Sequence, residues 1–115
     1  MATNDEVSQF MREFKDKMNI WNVIFRDDRG KNAQTLADLE IRAVDRENTL
    51  KALVVKDYSE GPLKDTLHKG PDMWVFGKVV KGQEVYIKVT MGTPSNPVLC
   101  ISFHIAEHKM IYPLK

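Results

Sequence analysis

Three stretches between residues 73 and 104 carry the densest apolar signal in the chain. They read M-W-V-F-G-K-V-V-K at 73–81, E-V-Y-I-K-V-T-M at 84–91 and V-L-C-I-S-F-H at 98–104. β-Branched and aromatic residues dominate each of them, and Gly, Pro and Asn separate them, which predicts three strands of an antiparallel meander. The short break Lys81-Gly82-Gln83 suits a tight hairpin. Residues 92–97 form a longer connection, where Pro94 and Pro97 need no ladder partner. Side chains alternate along a strand, so Val85, Ile87, Val89 and Met91 share one face, and Tyr86, Lys88 and Thr90 the other. By the same alternation Leu99, Ile101 and Phe103 oppose Cys100, Ser102 and His104. A register that pairs the polar faces puts Tyr86, Lys88 and His104 on one surface.

Helical periodicity governs the N-terminus. Thr3 and Glu6 have capping-box spacing, and Val7, Phe10, Met11, Phe14 and Met18 then recur on one stripe, predicting a packing helix. Residues 20–25, I-W-N-V-I-F, read as a strand with Trp21 in the core, and residues 26–30 as a turn whose alternating charges are solvated. Residues 32–41 fit neither period and read as a short strand or an irregular turn. Asp45 is expected to cap a second helix with Val44, Leu50 and Leu53 on its buried side, ending at Val54-Val55. Everything from Lys56 through Asp65 and on to Pro71 reads as a loop, long enough beside a sheet to carry function.

Composition sets limits on this picture. A chain of 115 residues suits one domain, residues 1–115, with its own core. Its one cysteine, Cys100, lies in an apolar run and reads as a buried small hydrophobe. With no internal disulfide and a polar, acidic N-terminus, the expected location is the cytoplasm, with no signal peptide and no membrane span. A formal net charge of +1 argues against a constitutive nucleic-acid packaging protein. From Lys78 onward the chain is mildly basic, through Lys78, Lys81, Lys88, Lys109 and Lys115 against Glu84 and Glu107. Lysines of that kind also protect sheet edges from pairing.

No Gly-rich phosphate loop, nucleophile elbow or cysteine pair is present. His104-Ile105-Ala106-Glu107-His108 has the H-x-x-E-H spacing of inverted zinc peptidases. That chemistry needs both histidines on one helical face, whereas here the motif straddles a strand end, and no metal or cofactor is expected. Tyr86, Lys88 and His104 have two readings. They are the polar residues that any half-exposed sheet face needs, or they are the parts of metal-free RNA cleavage. Such cleavage requires a proton acceptor for the 2′-hydroxyl, a cation at the phosphorane and a donor to the leaving 5′-oxygen.

The order D-Y at 57–58, W-V-F at 74–76, V-Y-I-K-V at 85–89 and I-S-F-H at 101–104 resembles the MqsR family of toxins from bacterial type II toxin–antitoxin modules. The resemblance covers about half the chain and is weak over the first forty residues. It implies an α+β, RelE/YoeB-like fold: a curved antiparallel sheet with the N-terminal and middle helices packed on one side. It also implies an endoribonuclease, an mRNA interferase cutting by 2′-hydroxyl attack. Trp74, Tyr86, Lys88, Ser102 and Phe103 match the family's residue types. Val75 replaces a family glutamine and His104 a family lysine, while Ser59 stands at a loop lysine for which Lys56 and Lys64 are nearby substitutes. The implied catalytic set is Tyr86, Lys88, His104 and Lys64, with Trp74, Lys78, Lys56, Tyr58 and Ser102 binding substrate. The implied partners are mRNA, the ribosome for ribosome-dependent members, and a cognate antitoxin through whose complex alone operator DNA is met. A non-catalytic protein-binding module of the same fold is the alternative, and a zinc hydrolase on His104 and His108 the outsider.

Overall fold

A computed structural model describes residues 1–28 and 30–115. Helix α1, Asn4–Trp21, begins as its capping box dictates: Thr3 Oγ1 accepts from the Glu6 N–H, and Glu6 Oε1 from the Thr3 N–H at 2.9 Å. Its stripe of Val7, Phe10, Met11, Phe14 and Met18 is buried throughout. The helix runs further than expected and stops at Asn22, whose φ of 68° breaks the helical path. Only β1, Val23–Phe25, remains of the expected strand, and Trp21 is 45% exposed rather than in the core.

Residues read as irregular form helix α2, Gly30–Asp38. Its buried residues are Asn32 and Thr35, so the inward face is polar and apolar periodicity could not mark it. Helix α3, Ala43–Ala52, starts at Arg42 rather than Asp45. Asp45 lies in the first turn, and its carboxylate accepts the Arg42 N–H at 2.8 Å. Leu50 and Leu53 are buried as expected, whereas Val44 is exposed. The turn after β1 is only partly solvated. Arg26 pairs with Asp28 at the surface, but Asp27 grips the buried Arg46 of α3 at 2.6 and 3.1 Å, and that guanidinium lies 4.1 Å from the Phe25 ring centre. Arg29, part of the same expected turn, lies outside the described residues.

A 3₁₀ turn, Val55–Asp57, leads into β2, Tyr58–Leu63, where a loop was expected. Local signals missed this strand because it is an irregular edge strand. Its pairing with β3, Met73–Val80, shifts register twice, and Pro62 is tolerable only at such an edge. A side chain on Gly61 would crowd the Met73 carbonyl oxygen and Trp74 Cα, and its φ of +129° also requires glycine. β3 and β4, Gln83–Thr90, are joined by Lys81 and Gly82, both at positive φ, as a tight hairpin turn requires. The sheet is completed by β5, Val98–Ile105, in the order β1-β5-β4-β3-β2. It is mixed rather than wholly antiparallel, because β1 runs parallel to β5. The fold is α+β. Apolar side chains of α1 and α3 share one core with Phe76, Val85, Ile87, Val89, Val98, Cys100 and Phe103 of the sheet.

One irregularity positions everything that follows. Lys88 pairs with Ser102, but the next residue of β4, Val89, pairs with Cys100, so Ile101 is an extra residue in β5. The bulge reverses the inside–outside alternation. Cys100 and Phe103 both face the core, while Ile101 and Leu99 turn to the opposite side, contrary to the simple alternation expected for 98–104. β1 ends at this level, and the Asn32 side chain takes over its pairing role. Its amide donates to the Arg26 and Ile101 carbonyl oxygens, each at 2.8 Å, and its oxygen accepts from the Phe103 N–H at 3.0 Å.

Replacing Asn32 by Ala leaves these backbone groups without their partner. The expected cost is about 3 kcal/mol in urea unfolding, from the desolvation of unpaired buried polar groups; a loss within experimental error would contradict the assignment. Cys100 reports on the bulge directly. Burial pushes its thiol up, away from the reactive thiolate. A thiol reagent should therefore label the folded protein only at the rate of global unfolding. Prompt labelling would mean that Cys100 faces solvent and that the strand has not changed sides.

Candidate functional site

The face of the sheet opposite α1 and α3 carries a cavity of about 690 Å³. Its floor is made by β4 and β5: Tyr86 pairs with His104, and Lys88 with Ser102. The Tyr86 and His104 rings lie 5.3 Å apart and 14° from parallel. Stacking of this kind restrains the imidazole. His104 Nδ1 is 3.0 Å from the Ile105 carbonyl oxygen. A carbonyl oxygen can only accept, so Nδ1 carries the hydrogen and the neutral ring keeps its lone pair at Nε2.

The walls come from three other places. Lys31 of α2 reaches in on one side, next in sequence to the Asn32 that stitches β5. Ser59 and Glu60 of β2 stand on another. The remaining wall is the segment 106–115, which folds back across the sheet. Glu84 accepts the Met110 N–H at 3.0 Å and the Tyr112 hydroxyl at 2.7 Å, and the Ser59 hydroxyl donates to the Ile111 carbonyl oxygen at 2.7 Å. Burial first, and then the hydrogen bond and charge of Glu84, raise the Tyr112 pKa above the ordinary phenol value, so the hydroxyl stays a donor. Gly77 of β3 makes room for this crossing. A methyl at that position would overlap the Tyr112 hydroxyl and lie 2.8 Å from Met110 Sδ.

Of the nine residues expected at the site, four meet here: Tyr86, Lys88, Ser102 and His104. The other five do not. Trp74 is on the helical face, stacked on Phe10 at 4.6 Å. Tyr58 is fully buried, its hydroxyl donating to the Gly61 carbonyl oxygen and accepting the Ala2 N–H. Lys78 also projects to the helical side, where it reaches Asp57 at 3.1 Å and the Ala52 carbonyl oxygen at the end of α3. Lys56 sits exposed in the 3₁₀ turn, and Lys64 pairs loosely with Asp72 beyond the end of β2. These five therefore lie apart from the cavity. Alternation along β3 sends Trp74 and Lys78 to the core side, and the edge strand β2 takes Tyr58 into the core.

Lys31 and Lys109 supply the additional cations that Lys56, Lys64 and Lys78 do not. Lys31 was hidden in a helix that hydrophobic periodicity does not show. The residues of the H-x-x-E-H pattern all line the cavity, but Glu107 is ion-paired with Lys31, whose hydrogen bond and charge lower its pKa. Among the described residues, no cluster of three or more His, Cys, Asp or Glu is arranged to hold a metal ion. No helix among them is long and apolar enough to cross a membrane.

Comparison of the chain with protein-family models, with curated proteins and with solved structures finds no match. The chemistry of the site therefore rests on its own geometry. A concave bed with an orientated imidazole, a phenol and several amines is suited to an anionic substrate that undergoes proton transfer.

Gly77→Val tests the folded-back wall. The substituted side chain is expected to evict Met110 and Tyr112 from the sheet and speed tryptic cleavage after Lys109 by about tenfold or more, as local opening becomes easier. Unchanged protection of that bond would show that the segment does not rest on Gly77.

Proposed function

We propose that the chain is a metal-independent endoribonuclease, an mRNA interferase of RelE/YoeB-like fold, as its MqsR-like sequence pattern implies. The observation that carries this reading is the convergence of Tyr86, Lys88 and His104 on one cavity floor, with His104 Nδ1 turned to the Ile105 carbonyl oxygen. Helices α1 and α3, packed on the opposite face of the sheet, support the fold assignment.

In this reading His104 Nε2 accepts the 2′-hydroxyl proton as the 2′-oxygen attacks the adjacent phosphorus. The Lys88 ammonium offsets the charge that builds on the phosphorane oxygens, with Lys109 and Lys31 beside it. The Tyr86 hydroxyl protonates the departing 5′-oxygen, and the phenolate then recovers a proton from the His104 imidazolium stacked against it. The P–O5′ bond breaks, leaving a 2′,3′-cyclic phosphate on one fragment and a 5′-hydroxyl on the other. Ser102, across the ladder from Lys88, contacts the same phosphate. A cognate antitoxin would restrain such an activity in the cytoplasm, and the ribosome would present the mRNA if cleavage depends on it.

The test uses purified protein in EDTA, with labelled RNA both alone and on programmed ribosomes. Wild type is expected to release cyclic-phosphate ends. His104→Ala should slow cleavage by about 10²–10⁴-fold and Lys88→Ala by about 10²–10³-fold, the usual cost of removing a proton-transfer group or a charge stabiliser. Lys64→Ala and Lys56→Ala should cut at nearly the wild-type rate. Folded wild-type protein that cuts neither form of RNA would sink the ribonuclease reading and leave the protein-binding module.

A further inference from the structure

A second cavity, of about 520 Å³, lies further along the same sheet face. Lys88 lines both cavities. The second is the more apolar of the two. The first is walled by amines, imidazoles and carboxylates; the second is bedded on Ile24, Met73, Leu99 and Ile101, with Pro71 and Pro97 at its sides and Arg26, Asp65 and His68 also in its lining. The β5 bulge creates this bed. Without the extra residue, Leu99 and Ile101 would point into the helical core rather than onto the open face.

The loops around the apolar bed are held in place. The Asp65 carboxylate accepts the His68 N–H at 2.9 Å and the Gly70 N–H at 3.3 Å, and these bonds lower its pKa. On β4, Thr90 donates its hydroxyl toward the Pro71 and Asp72 carbonyl oxygens, fixing the end of the same loop. Leu67, at the tip of the loop, also lines the cavity and is 82% exposed. An exposed leucine above an apolar bed gains by covering a ligand.

A molecule that suits both cavities at once must be anionic at Lys88 and flat and apolar a short distance beyond. From Lys88, which lines both cavities, to Thr90 is two residues, or about 7 Å of strand, short enough for one nucleotide to set its phosphate at Lys88 and its base beyond. We propose that the apolar cavity is a nucleobase subsite. It takes the base next to the scissile phosphate and holds it between Leu67 above and Met73, Leu99 and Ile101 below. Methionine sulfur and aliphatic side chains pack well on an aromatic face, and the lining also holds His68, whose imidazole offers a polar contact to a base edge. The inference rests on the ribonuclease reading for the identity of the ligand, and it makes this subsite the source of any sequence preference in cleavage.

The test measures binding without cleavage. A short 2′-O-methyl oligonucleotide, which cannot react, is titrated by fluorescence anisotropy in its intact form and with one abasic site moved through each position. Losing the base at one position should weaken binding by about tenfold, as expected for a base packed on side chains, with smaller effects elsewhere. Leu67→Ser, a surface change, and Ile101→Ala should each shrink that single-position penalty to less than about threefold. A flat abasic profile in the wild-type protein overturns the subsite, even if RNA is cut. A position-specific penalty in a protein that cuts no RNA upholds the subsite and removes the ribonuclease reading. Failure of the intact oligonucleotide to bind overturns the subsite and leaves the ribonuclease reading to the cleavage assay on programmed ribosomes.

Discussion

The side chain of Asn32 is the contact on which the functional face depends. β5 must serve two masters: Cys100 and Phe103 fill the core, while Ser102 and His104 floor the cavity. Strict alternation cannot place Cys100 inward and Ser102 outward, since residues two apart share a face. One inserted residue, Ile101, resolves the conflict, at the cost of leaving backbone groups out of the ladder. Asn32 satisfies them with one carboxamide that donates twice and accepts once. The same bonds dock α2 on the sheet and so bring Lys31 to the cavity wall. Fold and site are thus joined at a single polar side chain.

A second constraint closes the cavity. Glu84 at the start of β4 collects both the Met110 amide and the Tyr112 hydroxyl, and Gly77 lets them lie against β3. A carboxylate accepting from a backbone amide and a phenol is well satisfied without a cation. Without this crossing, the sheet face would be a shallow polar surface. With it, Tyr86, Lys88 and His104 lie in a recess, where electrostatic interactions are stronger than in open water.

The parts of this architecture governed by short-range periodicity are legible in the chain. Thr3, Glu6 and the stripe from Val7 to Met18 announce α1, and the β3–β4 hairpin follows from its alternation and from Lys81-Gly82. Tyr86, Lys88 and His104 could be grouped from their spacing, and the register bears that grouping out. What could not be read was set by tertiary contacts. α2 buries Asn32 and Thr35 and so shows no apolar stripe, and β2 is a broken edge strand carrying Pro62. The side of the sheet on which Trp74 and Lys78 fall also depended on which face the helices cover. Lys31 and Lys109 entered the site through a concealed helix and a returning segment, neither of which has a local signature.

We propose that in this recess a 2′-hydroxyl attacks in line, with His104 receiving the proton. The most direct measurement compares an RNA oligomer with the same oligomer carrying one deoxyribonucleotide on the 5′ side of a mapped cut. On this account, cleavage disappears at that phosphate alone, while other cuts continue to give 2′,3′-cyclic phosphate ends. Cleavage that persists at the deoxy-substituted position would contradict the account, because no attacking 2′-oxygen would be present there.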